Sequence, residues 1–229
     1  MEKGVVAMND LPFIVVVEGN ISSGKTTVLE QLAARGFTCY PENVAEWGDY
    51  LEEMYNGEVK TSDMLQMRVA VDQLKIMNEI NGPFTGTRLP NGRAVVFVER
   101  WIDSSEHIFI KNALNSEHLT ITPKGIKLWR DFIAWTGVRS LPVHAYVYIR
   151  TDPAVSYARI LERSKRRRSE RNIEYEYIAS LHMLYERFAA HHITAPLLTL
   201  ENKKEQSKST FAEAACDMVI EHCTTLSNS

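Results

Sequence analysis

Five short apolar runs, at residues 13–17, 37–40, 94–98, 145–149 and 196–200, divide the chain. The runs at 13–17 and 94–98 are apolar at consecutive positions, as strands buried on both faces must be. Between the runs, apolar residues fall at helical spacing. Val28, Leu29, Leu32 and Ala33 precede Gly36, a good residue to follow a helix end. Residues 64–80 carry Met67, Val71, Leu74 and Met77 as a core stripe, and Thr122-Pro123 and Asp152-Pro153 each open a further helix. A last helix starts at a capping box, Thr210 with Glu213, and turns Phe211, Ala214, Ala215, Met218 and Val219 to one side. Strands alternating with helices predict an α/β fold: a five-stranded parallel sheet flanked by helices.

Composition narrows the class. With 229 residues and 45% hydrophobic content, one domain over 1–229, its core about 12–223, is long enough to bury a full core. A net charge of −3 and pI near 6.2 provide no basic coat, which argues against nucleic acid as a main partner and for a small anionic ligand. Cys39, Cys216 and Cys223 lack metal or redox spacing and read as buried thiols in a reducing compartment. Residues 1–10 have neither an Arg-rich amphipathic pattern nor a long apolar core, and no run approaches a membrane span, so the cytosol is expected.

The first strand leads into Gly19-Asn20-Ile21-Ser22-Ser23-Gly24-Lys25-Thr26-Thr27 and then a helix. Gly-x-x-x-x-Gly-Lys-Ser/Thr in that context is a phosphate-binding loop. The glycines let successive N–H groups converge, Lys25 reaches the β- and γ-phosphates of ATP, and the Thr26 hydroxyl takes a place on Mg²⁺. A glycine turn that merely joins strand to helix has no need of that lysine and threonine. Glu42 lies just past the second strand, where ligands sit in open α/β sheets. Gln66, Val69 and Gln73 share one helix face; it suits either a polar heterocycle or solvent. Glu99-Arg100 closes the third strand, and Trp101, Ser105 and Phe109 recur every four residues after it, as an aromatic surface or a core stripe. The basic run at 163–171 is a nuclear-localisation or nucleic-acid patch, a solvated helix end, or a lid that brings arginines to ATP phosphates; a phosphate loop elsewhere favours the lid.

These residues resemble the deoxyribonucleoside kinases of the mitochondrial thymidine kinase, deoxycytidine kinase and insect multisubstrate type, over nearly the whole chain. The family's phosphate loop resembles residues 18–27, and its Glu-Pro-Val-x-x-Trp segment resembles Glu42-Asn43-Val44-Ala45-Glu46-Trp47, with asparagine in place of proline. Its Glu-Arg-Ser triplet falls on Glu99-Arg100-Trp101, and its Arg-x-Arg-x-Glu-Glu lid on Arg163, Arg167 and Glu170. The resemblance implies a P-loop kinase fold with a basic lid, ATP and Mg²⁺, a deoxynucleoside acceptor, and a homodimer built on helices. It makes Glu42 the general base, Arg100 its aligning cation, Glu99 a magnesium holder through water, and Trp47 a pocket wall. Ile21 joins the acceptor pocket. Tyr55 and Glu170 would bind the 3′-hydroxyl, Gln66 the base edge and Phe109 its face. Val69, Gln73 and Ser105, without the arginine and aspartate of the members that favour deoxycytidine and purines, point to thymidine or another pyrimidine. A nucleoside monophosphate kinase would want more than one cation beside the base. A GTP-type switch would want an Asn-Lys-x-Asp guanine reader, and the sequence has none.

Overall fold

A computed structural model of the chain describes residues 11–56, 61–115, 121–165, 168–203 and 207–228. The strands are β1 (Phe13–Glu18), β2 (Thr38–Tyr40), β3 (Val95–Glu99), β4 (Ala145–Arg150) and β5 (Leu197–Glu201). They form one parallel sheet in the order β2-β3-β1-β4-β5, so β1 is central and pairs Phe13 with Val95 on one side and Val15 with Ala145 on the other. Alternate residues of β1 enter two separate cores, which explains why the whole strand must be apolar. Phe13, Val15 and Val17 meet α1 (Lys25–Ala34) and α9 (Lys208–Leu226) through Val28, Leu32, Phe211 and Val219. Ile14 and Val16 belong to the core beneath α3 (Thr61–Ile80), α6 (Pro123–Thr136) and α8 (Tyr175–His191), with Leu65, Trp129 and Tyr185.

The remaining helices are α2 (Gly48–Tyr55), α4 (Ile102–Ser104), α5 (Lys111–Asn115) and α7 (Pro153–Ser164), and a π-helical turn, Ser105–Ile110, joins α4 to α5. Thr122 caps α6 by accepting the Gly125 N–H, with Pro123 in the first turn, and Asp152 caps α7 through the Ala154 N–H. Gly36, at φ 87°, follows α1 in the left-handed conformation that glycine adopts without strain. All three cysteines are unpaired, and burial pushes the Cys39, Cys216 and Cys223 thiols up to about 12, 11 and 12. Among the described residues no helix is long and apolar enough to cross a membrane.

Three sequence expectations are corrected. The α9 cap is Ser207, whose hydroxyl accepts the Thr210 N–H, so the helix starts earlier than a Thr210 cap would allow. Its buried side keeps Phe211, Ala215 and Val219 and adds Ala212, Cys216 and Cys223, while Ala214 and Met218 face solvent. On α3 the stripe of Met67, Val71, Leu74 and Met77 is only half-buried; Leu65, Gln66, Ala70 and Gln73 point inward because that side closes a cavity. Trp101 shares no face with Ser105 and Phe109: it is the extended residue before α4 and packs into the core, and the π turn breaks the spacing of four.

Candidate active site

Strand ends, the loop after β1 and the inner sides of α3 and α7 enclose a cavity of about 970 Å³ at the carboxyl edge of the sheet. That is the edge where parallel α/β sheets hold ligands. At its floor, residues 19–24 curl so that the Ser23 N–H reaches the Asn20 carbonyl (3.2 Å) and the Lys25 ammonium donates to the same oxygen (3.0 Å). The Asn20 side chain ties the loop to α8 through the Ile178 carbonyl at 2.9 Å. A side chain at Gly19 is forbidden twice over, by φ 149° and by the Ile149 carbonyl 2.6 Å from where a Cβ would lie. Burial, then Arg100, brings the Lys25 pKa down to about 8, while Glu99 at 3.7 Å opposes the fall.

Beside the lysine, the Thr26 hydroxyl contacts both carboxylate oxygens of Glu99 at 3.2 Å. Burial raises the Glu99 pKa, and Lys25 pulls it back. A hydroxyl and a carboxylate that converge beside a phosphate loop form a hard-oxygen donor set that fits Mg²⁺, which takes few protein ligands beside phosphate and water.

Arg100 spans the middle of the site. Its guanidinium pairs with the Glu42 carboxylate, donates through Nε to the Tyr185 hydroxyl (2.8 Å) and through Nη2 to the Gly19 carbonyl (3.1 Å). Burial penalises the charge most, but Glu42, Tyr185 and Glu99 together outweigh it and hold the Arg100 proton well above the ordinary range. The guanidinium carbon also lies 5.0 Å from the centre of the Phe109 ring. The Glu42 N–H donates to Glu99 at 3.4 Å, so both acidic residues sit on one side of the loop.

The upper cavity is neutral. Gln66 and Gln73 on α3 are 7% and 5% exposed, and neither side-chain oxygen has a partner among the described residues. Val69, Ser105 and Phe109 line the same space. The helix face that suited either heterocycle or solvent thus faces the cavity. Trp47 is fixed by its indole N–H to Asp72 at 2.7 Å. Tyr55 meets Tyr177 edge to face, with ring centres 5.7 Å apart, and burial lifts both phenols, Tyr177 to about 12. Arg163 donates to Glu170 at 2.7 Å across the top.

The structure therefore brings together Ile21, Ser22, Gly24, Lys25, Thr26, Thr27, Glu42, Trp47, Tyr55, Gln66, Val69, Gln73, Glu99, Arg100, Ser105, Phe109, Arg163 and Glu170 around one cavity. Gly19, Asn20 and Ser23 shape the loop from behind. Arg167 lies outside the described residues.

Sequence reasoning missed Arg159, Asn202 and Tyr185. Arg159 donates to the Ser22 carbonyl and to Asn202, and Asn202 donates to the Ser23 carbonyl at 2.6 Å, so the end of β5 steadies the phosphate loop. Arg159 stands one helical turn before Arg163, a spacing that could have flagged it.

A family model described as deoxynucleoside kinase matches residues 15–226. Human mitochondrial thymidine kinase 2 is 30% identical over 199 residues, covering 82% of this chain and 70% of that protein. A protein of invertebrate iridescent virus 3 that carries a kinase name is 28% identical, over 76% of this chain and 81% of its own. A fowlpox virus (strain NVSL) protein whose name carries deoxycytidine kinase is 22% identical, over 81% and 77%.

Proposed function

The chain belongs to the deoxynucleoside kinase family, an enzyme family that phosphorylates nucleosides, and from that membership we propose that it uses Mg²⁺ and ATP to phosphorylate the 5′-hydroxyl of a deoxyribonucleoside, thymidine or another pyrimidine deoxynucleoside in preference to purines. The observation that carries this reading is the pairing of two unsatisfied, buried glutamine oxygens above with the Glu42–Arg100 pair below. Buried amides without partners are costly unless a ligand completes them. A heterocycle standing between Gln66 and Gln73, with Phe109 on its face, would do so and would direct the sugar towards Glu42.

A sugar hydroxyl is a poor nucleophile, so a carboxylate that takes its proton as the new P–O bond forms lowers the barrier. Glu42 has that role. Arg100, fixed by Tyr185 and Gly19, keeps Glu42 in line and opposes the charge that builds on the transferring group. Lys25 and the loop N–H groups hold the phosphate chain. Thr26 directly and Glu99 through water would hold Mg²⁺, which supplies charge neutralisation on the donor phosphates. Tyr55 and Glu170 take the 3′-hydroxyl. As the lid closes, Arg163 exchanges Glu170 for phosphate, with Arg167 as a second lid cation.

The neutral upper cavity supports a nucleoside acceptor over a nucleoside monophosphate, which would need unpaired cations there. Two of these relatives are named for different bases, thymidine and deoxycytidine, so the preference proposed for this chain rests on Val69, Gln73 and Ser105. The unpaired, largely buried thiols fit a reducing setting, for which we propose the cytosol. A second copy of the chain suits the adjoining faces of α3 and α6, where Met64, Leu128 and Trp135 are 60%, 58% and 82% exposed. Such apolar exposure is a mark of an interface; sedimentation of Trp135→Glu against the parent tests it, with a shift to monomer expected.

The deciding assay measures ADP release with each of the four deoxynucleosides and their monophosphates, with the product identified. Formation of 5′-monophosphates from nucleosides, pyrimidines first, is expected; turnover with monophosphate acceptors alone would overturn the reading.

A further inference from the structure

Arg100 holds its position at a backbone cost. It is a non-glycine residue in the left-handed region, at φ 59°, at the corner where β3 ends and α4 begins. Such conformations persist only where the surroundings fix them. Two backbone N–H groups fix this one. The Arg100 N–H donates to the Val17 carbonyl at 3.1 Å, and the next N–H, that of Trp101, donates to the Glu18 side chain at 3.4 Å. Both acceptors come from the end of β1.

Glu18 is otherwise hard to explain. It is 1% exposed, and its second carboxyl oxygen has no partner among the described residues. It is not itself part of the cavity lining; it stands behind it, against the Ser104 hydroxyl and within the field of Arg100 and Lys25. An acid buried with half its hydrogen-bonding capacity unmet is a burden on folding. Glutamine would make the same backbone contact at less cost to burial, and an apolar residue would fill the space.

We propose that Glu18 is a positioning residue for phosphoryl transfer: by accepting the Trp101 N–H it holds the left-handed corner from which Arg100 reaches Glu42, Tyr185 and the Gly19 carbonyl. Glu18 acts on the reaction through Arg100 and not on substrate. The inference rests on the reading of Arg100 as the group that aligns Glu42. Loss of the acceptor lets the corner relax, and the guanidinium moves off line while both substrate pockets keep their walls.

The test compares Glu18→Met, which keeps the volume and removes the acceptor, with Glu18→Gln, which keeps the acceptor. Glu18→Met is expected to lower kcat by about ten- to a hundredfold, the usual penalty for slight misplacement of a reacting constellation, with KM for nucleoside and ATP within about twofold. Glu18→Gln should restore kcat to within about threefold of the parent. Circular dichroism melts certify folding; should Glu18→Met not fold, Glu18→Asp, which draws the acceptor back by one methylene, takes its place. A folded acceptor-deficient variant with parental kcat overturns the proposal, as does a Glu18→Gln as impaired as the acceptor-deficient variant. The same change is then made in Arg100→Ala, where it should have no further effect. If Arg100→Ala is itself as fast as the parent, the reading of Arg100 fails; if Arg100→Ala is slow and the Glu18 change adds its full factor, the Glu18 inference alone fails.

Discussion

Replacing Glu42 tests the centre of the mechanism, because the carboxylate has two separable roles. It is the proposed base, and it is the counter-ion of a buried guanidinium. Glu42→Gln keeps the length and an acceptor oxygen for Arg100 but carries no charge and cannot take a proton. Loss of a general base costs roughly 10²–10⁴ in rate, which is about 3–5 kcal/mol of barrier at about 1.4 kcal/mol per decade. Glu42→Ala removes the base, the charge and the acceptor together. Leaving a buried charge without its partner costs about 3–5 kcal/mol. Arg100 keeps Tyr185 and Gly19, and the Glu42 side chain is 13% exposed, so the lower end, about 3 kcal/mol, applies. In a chain of this length that lowers Tm by about 6–12 °C. Both variants should therefore lose kcat to a similar extent, read by coupled ADP release at saturating ATP and thymidine, and both should lose melting temperature, Glu42→Ala more than Glu42→Gln because the amide still offers the guanidinium an acceptor. A Glu42→Gln enzyme with parental kcat would remove the base; an Ala variant as stable as the parent would refute the counter-ion role.

Arg163→Ala should reduce kcat more than it raises KM for the nucleoside, since its proposed partner when the lid closes is phosphate; full kinase activity with loss of nuclear import would favour the localisation reading of the basic run. Gln73→Arg with Ser105→Asp should move the kcat/KM ratio of thymidine to deoxyadenosine and deoxyguanosine towards the purines, and an unchanged ratio would show that these positions do not read the base. His144 offers a pH test: its Nδ1 accepts the Ile14 N–H at 3.0 Å, and burial, then Arg93, lowers its pKa below the ordinary value. The folded-state pKa lies under the unfolded one, so the stabilisation is full above an unfolded value of about 6.5 and is lost as pH falls through the folded-state value. The urea midpoint should drop between about pH 7.5 and pH 5 in the parent, and drop less in His144→Asn, which keeps an acceptor that does not titrate; equal drops would refute the assignment.

The phosphate loop and the five strands were legible because each is written in consecutive residues: an unbroken apolar run, or a glycine spacing set by backbone geometry. Glu42 could be singled out because its place after β2 follows from the strand itself. The partners of Arg100 and of the loop could not. Tyr185 is 85 residues from Arg100 and Asn202 is 179 from Ser23, and nothing local marks either. The misplacement of Trp101 has a different origin: helical spacing was extended through a corner in left-handed backbone and then across a π turn, and neither leaves a trace in the periodicity of side chains.

That π turn also acts as a gear. Ser105 and Phe109 lie within it, while α5 on its far side packs against α8, so the turn sets the rotational phase between the acceptor pocket and the helix behind it. Deletion of a single residue between Ser105 and Ile110 would restore plain α-helical winding and rotate one side against the other by about 100°. For anyone who builds insertion and deletion libraries in this chain, residues 105–110 are therefore a place where length is read as angle: one residue lost there changes which side chain meets the base, whereas the same loss in a surface loop would change only reach.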